Sequence, residues 1–260
     1  MQRTTVGAVQ VTALVDAHFS FPSESIYPKA GAQLAAYAEF LDGDALAMIC
    51  GCSVLQADGV TVLVDTGVGP GDESLIRELE IAGLKLAEID IVVFTHLHGD
   101  HIGWNIDRET GAPMFPNAKY WIPQLDWEHY RSQGGENWET LLAPLEAAGC
   151  VELFDGERSL TPSLTLIHTP GHTPGHTSIE ITSDGVRALV LGDAVVDQIN
   201  LNEPDWANRF DWDDAVASAT RHELIPRLLD SGELIIAAHL GAQGLGHFVR
   251  DGNRLRFRDL

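Results

Sequence analysis

The chain predicts a mixed α/β fold assembled from hairpins and short helices, and three observations lead there. Short apolar runs recur along the sequence, several are joined by Asp-Gly turns, and helical spacing intervenes at only a few places. A doubly wound sheet would alternate strand and helix more regularly. Val9–Val15 is apolar enough for a strand. Ala45–Leu55 and Val60–Val64 form the first expected hairpin, closed by Ala57-Asp58-Gly59, because Asp-Gly accepts the backbone of a tight turn. Glu73–Ala82 has helical spacing (Leu75, Ile76, Leu79, Ala82) and leads to a buried strand at Ile91–Phe94. Asp126–Ser132 and Trp138–Ala148 are predicted helices, the second kinked at Pro144. Strands are predicted at Leu164–His168, Thr177–Thr182 and Val186–Leu191, the last two meeting around Asp184-Gly185. Asp213–Leu229 is a long helix whose acidic first turn suits its dipole, with a bend expected at Pro226. Leu234–Ala237 and a hairpin of Gly246–Arg250 with Arg254–Arg258 around Asp251-Gly252 close the chain.

A length of 260 residues, 45% of them hydrophobic, suffices for a sizeable core, and no linker or repeat divides the chain, so residues 1–260 are expected to form one domain. The N-terminus, Met1-Gln2-Arg3-Thr4-Thr5, has no apolar segment of a secretory signal, and the three cysteines suit a reducing compartment. A cytoplasmic protein is expected. Cys50 and Cys52 share one face of a predicted strand, and with Cys150 they are expected to be core or half-buried thiols, a redox or metal role being the alternative. Sixteen Lys and Arg against 38 Asp and Glu give a net charge of −22, which repels phosphate backbones and anionic lipid. The expected partner is a small neutral or weakly polar molecule; neither nucleic acid nor membrane is expected.

Thr95-His96-Leu97-His98-Gly99-Asp100-His101 concentrates four metal-type side chains on the loop that ends the Ile91–Phe94 strand. Neutral imidazoles and carboxylates are the donors that borderline cations such as zinc prefer, whereas chance clustering on a solvated surface is the bland alternative. Three further candidates also follow predicted strands. His172 lies in the rigid turn Thr169-Pro170-Gly171-His172-Thr173-Pro174-Gly175-His176, Asp193 follows Gly192, and His239 follows Ala238. Each alone is more often structural. Together they make a set of seven donors, enough for two metals and a shared open position.

These residues carry a resemblance. His96-Leu97-His98-Gly99-Asp100-His101 is similar to the His-x-His-x-Asp-His signature of the metallo-β-lactamase superfamily, and the order of His172, Asp193, His239 and the Asp65-Thr66-Gly67 element also matches. The fold this implies is a four-layer αββα sandwich with the site at one edge of two facing sheets. The resemblance implies one zinc on His96, His98 and His172, a second on Asp100, His101 and His239, and Asp193 bridging them. Asp100 would be both ligand and candidate proton acceptor, and the pair would share a hydroxide as nucleophile. Asp65 would accept an imidazole N–H and orient a ligand, a turn-forming role before Gly67 being the alternative. His176 and His247 are weighed as structural or supporting residues. His98 stands where the diiron oxygen-reducing branch usually carries Glu.

Asp100-His101-Ile102-Gly103-Trp104-Asn105, Phe115-Pro116-Asn117-Ala118 and Asn202-Glu203-Pro204-Asp205-Trp206 resemble the branch of methyl parathion hydrolase and acyl-homoserine lactonases. One type of lactonase carries Tyr where this chain has Val196, so a polar handle on the carbonyl is missing. The expected activity is hydrolysis of an ester or lactone, with an organophosphate as a further substrate. A glutathione-thioester hydrolase or a mononuclear-iron sulfur dioxygenase is the alternative, while a nuclease and a non-catalytic member are disfavoured by the charge and by the intact donor set. Pocket walls are expected from Phe19, Phe21, Trp104, Val196, Trp206 and Leu240, with Phe19, Phe21, Tyr27 and Tyr37 as a lid; core packing is the commoner use of Trp104 and Trp206. A homodimer is entertained as the assembly.

Overall fold

A computed structural model describes residues 1–71 and 74–260. The first sheet runs in spatial order β1 (Gln2–Val6), β2 (Val9–Pro22), β3 (Ala45–Ala57), β4 (Val60–Val64), β5 (Ile91–Val93), β6 (Lys119–Pro123) and β7 (Val151–Phe154). The second holds β8 (Arg158–Thr161), β9 (Leu164–His168), β10 (Thr177–Ser183), β11 (Val186–Gly192), β12 (Leu234–Ala237), β13 (Leu245–Asp251) and β14 (Arg254–Asp259), again in sequential order. The helices are α1 (Ser23–Ile26), α2 (Leu75–Ile81), α3 (Gln124–Gln133), α4 (Ala143–Ala147), α5 (Gln198–Asn202) and α6 (Asp214–Ser231).

The layers follow from the period of two along each strand. Val62 and Val64 of β4 and Val93 of β5 pack against Leu164, Leu166, Ile179, Ile181 and Val190 of the facing sheet. Their alternates Leu63 and Val92 turn outward onto Leu75, Leu79, Trp127 and Leu145 of the helical layer. In β11, Ala188 and Val190 face the inter-sheet core while Leu189 and Leu191 meet Leu224 and Leu228 of α6. Strands covered on both faces read as unbroken apolar runs, which is why these were legible. The result is helix, sheet, sheet, helix: the expected αββα sandwich.

The three expected hairpins form, with Ala57 opposite Val60 and Ser183 opposite Val186 around Asp58-Gly59 and Asp184-Gly185, whereas in the third Asp251 is itself paired with Arg254 and the loop is Gly252-Asn253. Asp58 (φ 53°) and Gly59 (φ 83°) both take the left-handed backbone that such a turn requires. Other expectations are corrected. β2 continues to Pro22 instead of ending at Val15, with a register shift between Val15 and Ala17. β1, β6, β7 and β8 were not anticipated, since they are short and carry polar residues. Trp138–Ala148 is a π-helical turn at Trp138–Leu142 followed by α4, so Pro144 lies in the first helical turn of α4, where its missing N–H is tolerated. Of the helix expected at Glu73–Ala82, Glu73 lies outside the described residues, and the helix spans Leu75–Ile81. In α6 the Asp213 carboxylate caps the N-terminus through Ala215 and Val216, and Pro226 sits inside a helix that runs on to Ser231. Among the described residues no helix is long and apolar enough to cross a membrane. Cys50 and Cys52 are buried, Cys150 is half-buried, and all three are free thiols.

Candidate metal centre

β4 and β5 run parallel, as do β11 and β12. Their carboxyl ends therefore emerge at one edge, and the loops that follow bring Asp65, His96, Asp193 and His239 together. β9 ends at His168 and delivers His172 from the following turn. Three groupings result: His96, His98 and His172; Asp100, His101 and His239; and His96, His101 and Asp193, the donor atoms of each group lying within 4.8 Å of one another. Asp193 stands between the first two, with Oδ2 at 3.2 Å from His172 Nε2 and 3.1 Å from His239 Nε2.

The outer nitrogens decide which lone pairs face inward. His101 Nδ1 bonds the Asp65 carboxylate at 2.8 Å, His172 Nδ1 the Asp211 carboxylate at 3.1 Å, and His239 Nδ1 the Ile49 carbonyl at 2.7 Å. Each Nδ1 thus donates outward, leaving Nε2 to face the centre as an acceptor. Asp65 has a left-handed φ of 58°, and its carboxylate also accepts the Thr95 N–H and hydroxyl, both at 2.8 Å. Asp211 is in turn clamped by buried Arg221, which reaches it from α6 at 2.7 and 2.8 Å.

The donor set fits divalent cations. His98 Nδ1 lies 3.1 Å from His96 Nε2 and 2.9 Å from His172 Nε2, a crowding of ring nitrogens that only a proton or a cation reconciles. His101 Nε2 and Asp193 Oδ1 are buried, 3.5 Å apart, and neither has a hydrogen-bond partner. Two orphaned acceptors facing each other are what a positive ion relieves.

His176 plays another part. Its Nε2 accepts the Asp193 backbone N–H at 2.9 Å, and its Nδ1 reaches the Thr169 carbonyl at 3.0 Å, so both nitrogens are engaged away from the centre. Burial holds it neutral, with its pKa lowered to about 3. A Cβ on Gly192 would lie 2.6 Å from His176 Nε2, so the backbone there must be glycine for the ring to approach. His247 sits on β13 and bonds the Glu233 carbonyl.

Asp126 was not singled out in the sequence as more than a helix start, yet it ties two metal loops together. Its buried carboxylate accepts from Thr173 hydroxyl at 2.8 Å, Gly175 N–H at 2.6 Å and Leu97 N–H at 3.3 Å. Asp126→Ala leaves these three donors without their acceptor, and a loss on the order of 3 kcal/mol in chemical denaturation is expected. A change indistinguishable from zero would show that the loops hold their shape without it.

Protons and metal compete for this centre. Burial opposes charge on His239, yet Asp193 and Asp100 outweigh it and push the pKa up to about 9. His101 and His172 are also raised, burial again being overcome by Asp193 with its neighbours. In the metal-free fold the His239 contribution is full below its ordinary value of 6.5 and is lost as pH rises through about 9. Metal requires the deprotonated rings, so its affinity rises over that same interval. Calorimetry in buffers of different ionisation enthalpy should show at least about one proton released per chain on loading at neutral pH; a buffer-independent heat would contradict it.

A cavity of about 310 Å³ opens on the centre, bordered by His98, Asp100, His172, Asp193 and His239. Its walls include Phe19, Phe21 and Val196, as expected, together with Ile26, Met48 and Phe210, which the sequence did not suggest. Trp104, Trp206 and Leu240 do not line it. Trp104 donates its indole N–H to buried Asp16 at 2.9 Å and packs against the helical layer. Trp206 stacks edge-on against Tyr27 and Tyr37, both buried, so these tyrosines form a packed cluster and not a lid. Leu240 belongs to the core under α6. Phe19 and Phe21 sit on β2 itself, on its alternate half-buried positions.

The chain belongs to the metallo-β-lactamase superfamily, whose family model matches residues 47–239. It is 30% identical over 109 residues to metallo-beta-lactamase domain-containing protein 1 of Xenopus laevis, a match spanning 36% of this chain and 46% of that protein. Among solved structures, the dizinc quorum-quenching lactonase AidC superposes with a TM-score of 0.87 at 21% identity, covering 100% of this chain and 97% of that one. The hydrolase AbOPH superposes at 0.84 with 22% identity, over 99% and 96% of the two chains. A quorum-quenching N-acyl homoserine lactone lactonase gives 0.66 at 20% identity, over 92% and 94%. At these identities the likeness is one of fold.

Proposed function

We propose that the protein is a dinuclear zinc hydrolase of a small, mostly apolar ester or lactone. The single observation that carries the reading is the pair of orphaned, buried acceptors, His101 Nε2 and Asp193 Oδ1, in the middle of seven convergent donors. His96, His98 and His172 would hold one ion, Asp100, His101 and His239 the other, and Asp193 would lie between. Two such ions, when bound, lower the pKa of a water and polarise the oxygen of the bond under attack. The chain's own residues do the rest. Asp65, Asp211 and the Ile49 carbonyl keep three imidazoles in the tautomer that presents Nε2. Asp100, the more exposed of the two carboxylates in the set, borders the cavity and would be the proton acceptor. Phe19, Phe21, Met48 and Phe210 exclude water from the apolar part of the substrate. Val196 brings methyl groups to the cavity wall and offers a substrate carbonyl no side-chain hydrogen-bond donor.

Neither Lys nor Arg is among the described residues lining the cavity, which disfavours a glutathione conjugate with its two carboxylates. Elemental analysis should find close to two zinc or similar ions per chain, and the loaded protein should cleave lactones or aryl esters in preference to thioesters and a chromogenic cephalosporin. One iron per chain with thioester or persulfide turnover would overturn the proposal.

A further inference from the structure

The cavity has a direction. Phe19 and Phe21 are two residues apart on β2, so both rings rise from one face of the strand, with Phe21 roughly 7 Å further along. Met48, another wall residue, pairs with Phe19 from β3. Phe19 is the inner end of the row, its ring centroid 6.4 Å from that of His239. Phe21 lies 5.7 Å from Phe19, and Phe210 meets Phe21 edge-on at 6.0 Å. Exposure rises along the row, from 7% at His239 through half-buried Phe19 and Phe21 to 37% at Phe210. All three phenyl rings line the cavity and none carries a hydrogen-bonding atom, so the row suits methylene groups.

Phe210 is the one ring of the three that does not stand on the strand. It belongs to the segment between α5 and α6, where its neighbours hold it in place. Its N–H donates to Asn208 Oδ1 at 3.0 Å, and the preceding Arg209 N–H donates to the Ile26 carbonyl at 2.9 Å. The carboxylate of the following Asp211 lies 3.1 Å from His172 Nδ1. The outermost ring is therefore tied to the metal centre through the next residue of the chain.

We propose that Phe210 determines specificity: it receives the far end of an unbranched apolar arm that starts at the reacting bond and runs along Phe19 and Phe21. The inference rests on the ester or lactone reading above and adds to it the shape of the substrate. A short arm ends before Phe210, whereas a longer one removes the exposed face of that ring from water as well as its own methylenes.

The test uses the zinc-loaded full chain and the unbranched carboxylates acetate, butanoate, hexanoate, octanoate and decanoate, which mimic an acyl product. Dissociation constants come from calorimetry, and kcat/KM from the corresponding phenyl esters. Phe210→Ala and Phe210→Ser both keep the backbone N–H for Asn208 and remove a partly exposed ring, so either one that folds and holds zinc serves. The affinity for decanoate relative to butanoate should fall about 10-fold in the variants, the contribution of one to two methylenes taken out of water. A ratio that stays the same, whether every member of the series weakens equally or none does, overturns the proposal. If the esters are turned over while the ratio stays unchanged, the role of Phe210 fails alone. If the ratio shifts but no ester is cleaved, the hydrolase reading fails and the role of Phe210 in binding stands.

Discussion

Asp193→Ala should lose metal and activity together, with affinity for the second ion falling by well over about 10²-fold, beyond what removing an orienting group does. The carboxylate lies within 3.2 Å of both His172 and His239 and within 3.8 Å of His96, so two cations in this centre would face each other across it. Burial alone would raise its pKa, but His239, His101 and His96 hold it well below the usual carboxylate range, so it is ionised and available to metal at any working pH. Asp65→Ala should be milder, about 10–100-fold in affinity or activity, because it frees the His101 ring to turn without removing a donor from the centre. Zinc content by elemental analysis, read beside steady-state kinetics, separates the two. If Asp65→Ala empties the centre while Asp193→Ala binds both ions normally, the roles assigned here are exchanged.

Removing the metal should lower thermal stability by roughly 8–16 °C. At free metal about 1,000-fold above its dissociation constant, linkage contributes about 4 kcal/mol, and for a chain of this size each kcal/mol moves Tm by about 2–4 °C. The physical source is the crowding of His96, His98 and His172 nitrogens and the unpaired His101 Nε2 and Asp193 Oδ1, all of which are left facing one another. The difference between loaded and stripped protein should shrink on acidification, since protons on His239 and His101 compete for the same lone pairs. Scanning calorimetry with and without chelator, at two pH values, measures both effects. A stripped protein that melts with the loaded one at neutral pH would mean that these donors hold no ion.

How much of this was written locally can be judged residue by residue. The ligand loop His96–His101 was legible because four donors lie within one turn of chain, and the hairpins at Asp58-Gly59 and Asp184-Gly185 because a left-handed backbone is a property of those residues themselves. Strands β4, β5, β11 and β12 were legible because burial on both faces leaves an uninterrupted apolar run. Trp104 shows the limit. Its place three residues after His101 suggested the pocket, but an indole N–H needs a partner, and Asp16, far away in sequence on β2, supplies it.

The sequence by itself determined the hairpin turns and the apolar strand runs, and its motifs carried the family resemblance and the seven candidate donors at the strand ends, since each depends on residue type and short spacing. Only the tertiary structure decided which groups aim those donors and what surrounds them. Asp211 and Arg221 behind His172, Asp126 between two loops, and Met48 and Phe210 in the cavity wall have no local signature. Their roles come from pairings between segments tens of residues apart or more. Hydrogen bonding and burial at such distances depend on how two sheets and their helices pack, which no short window of the chain contains.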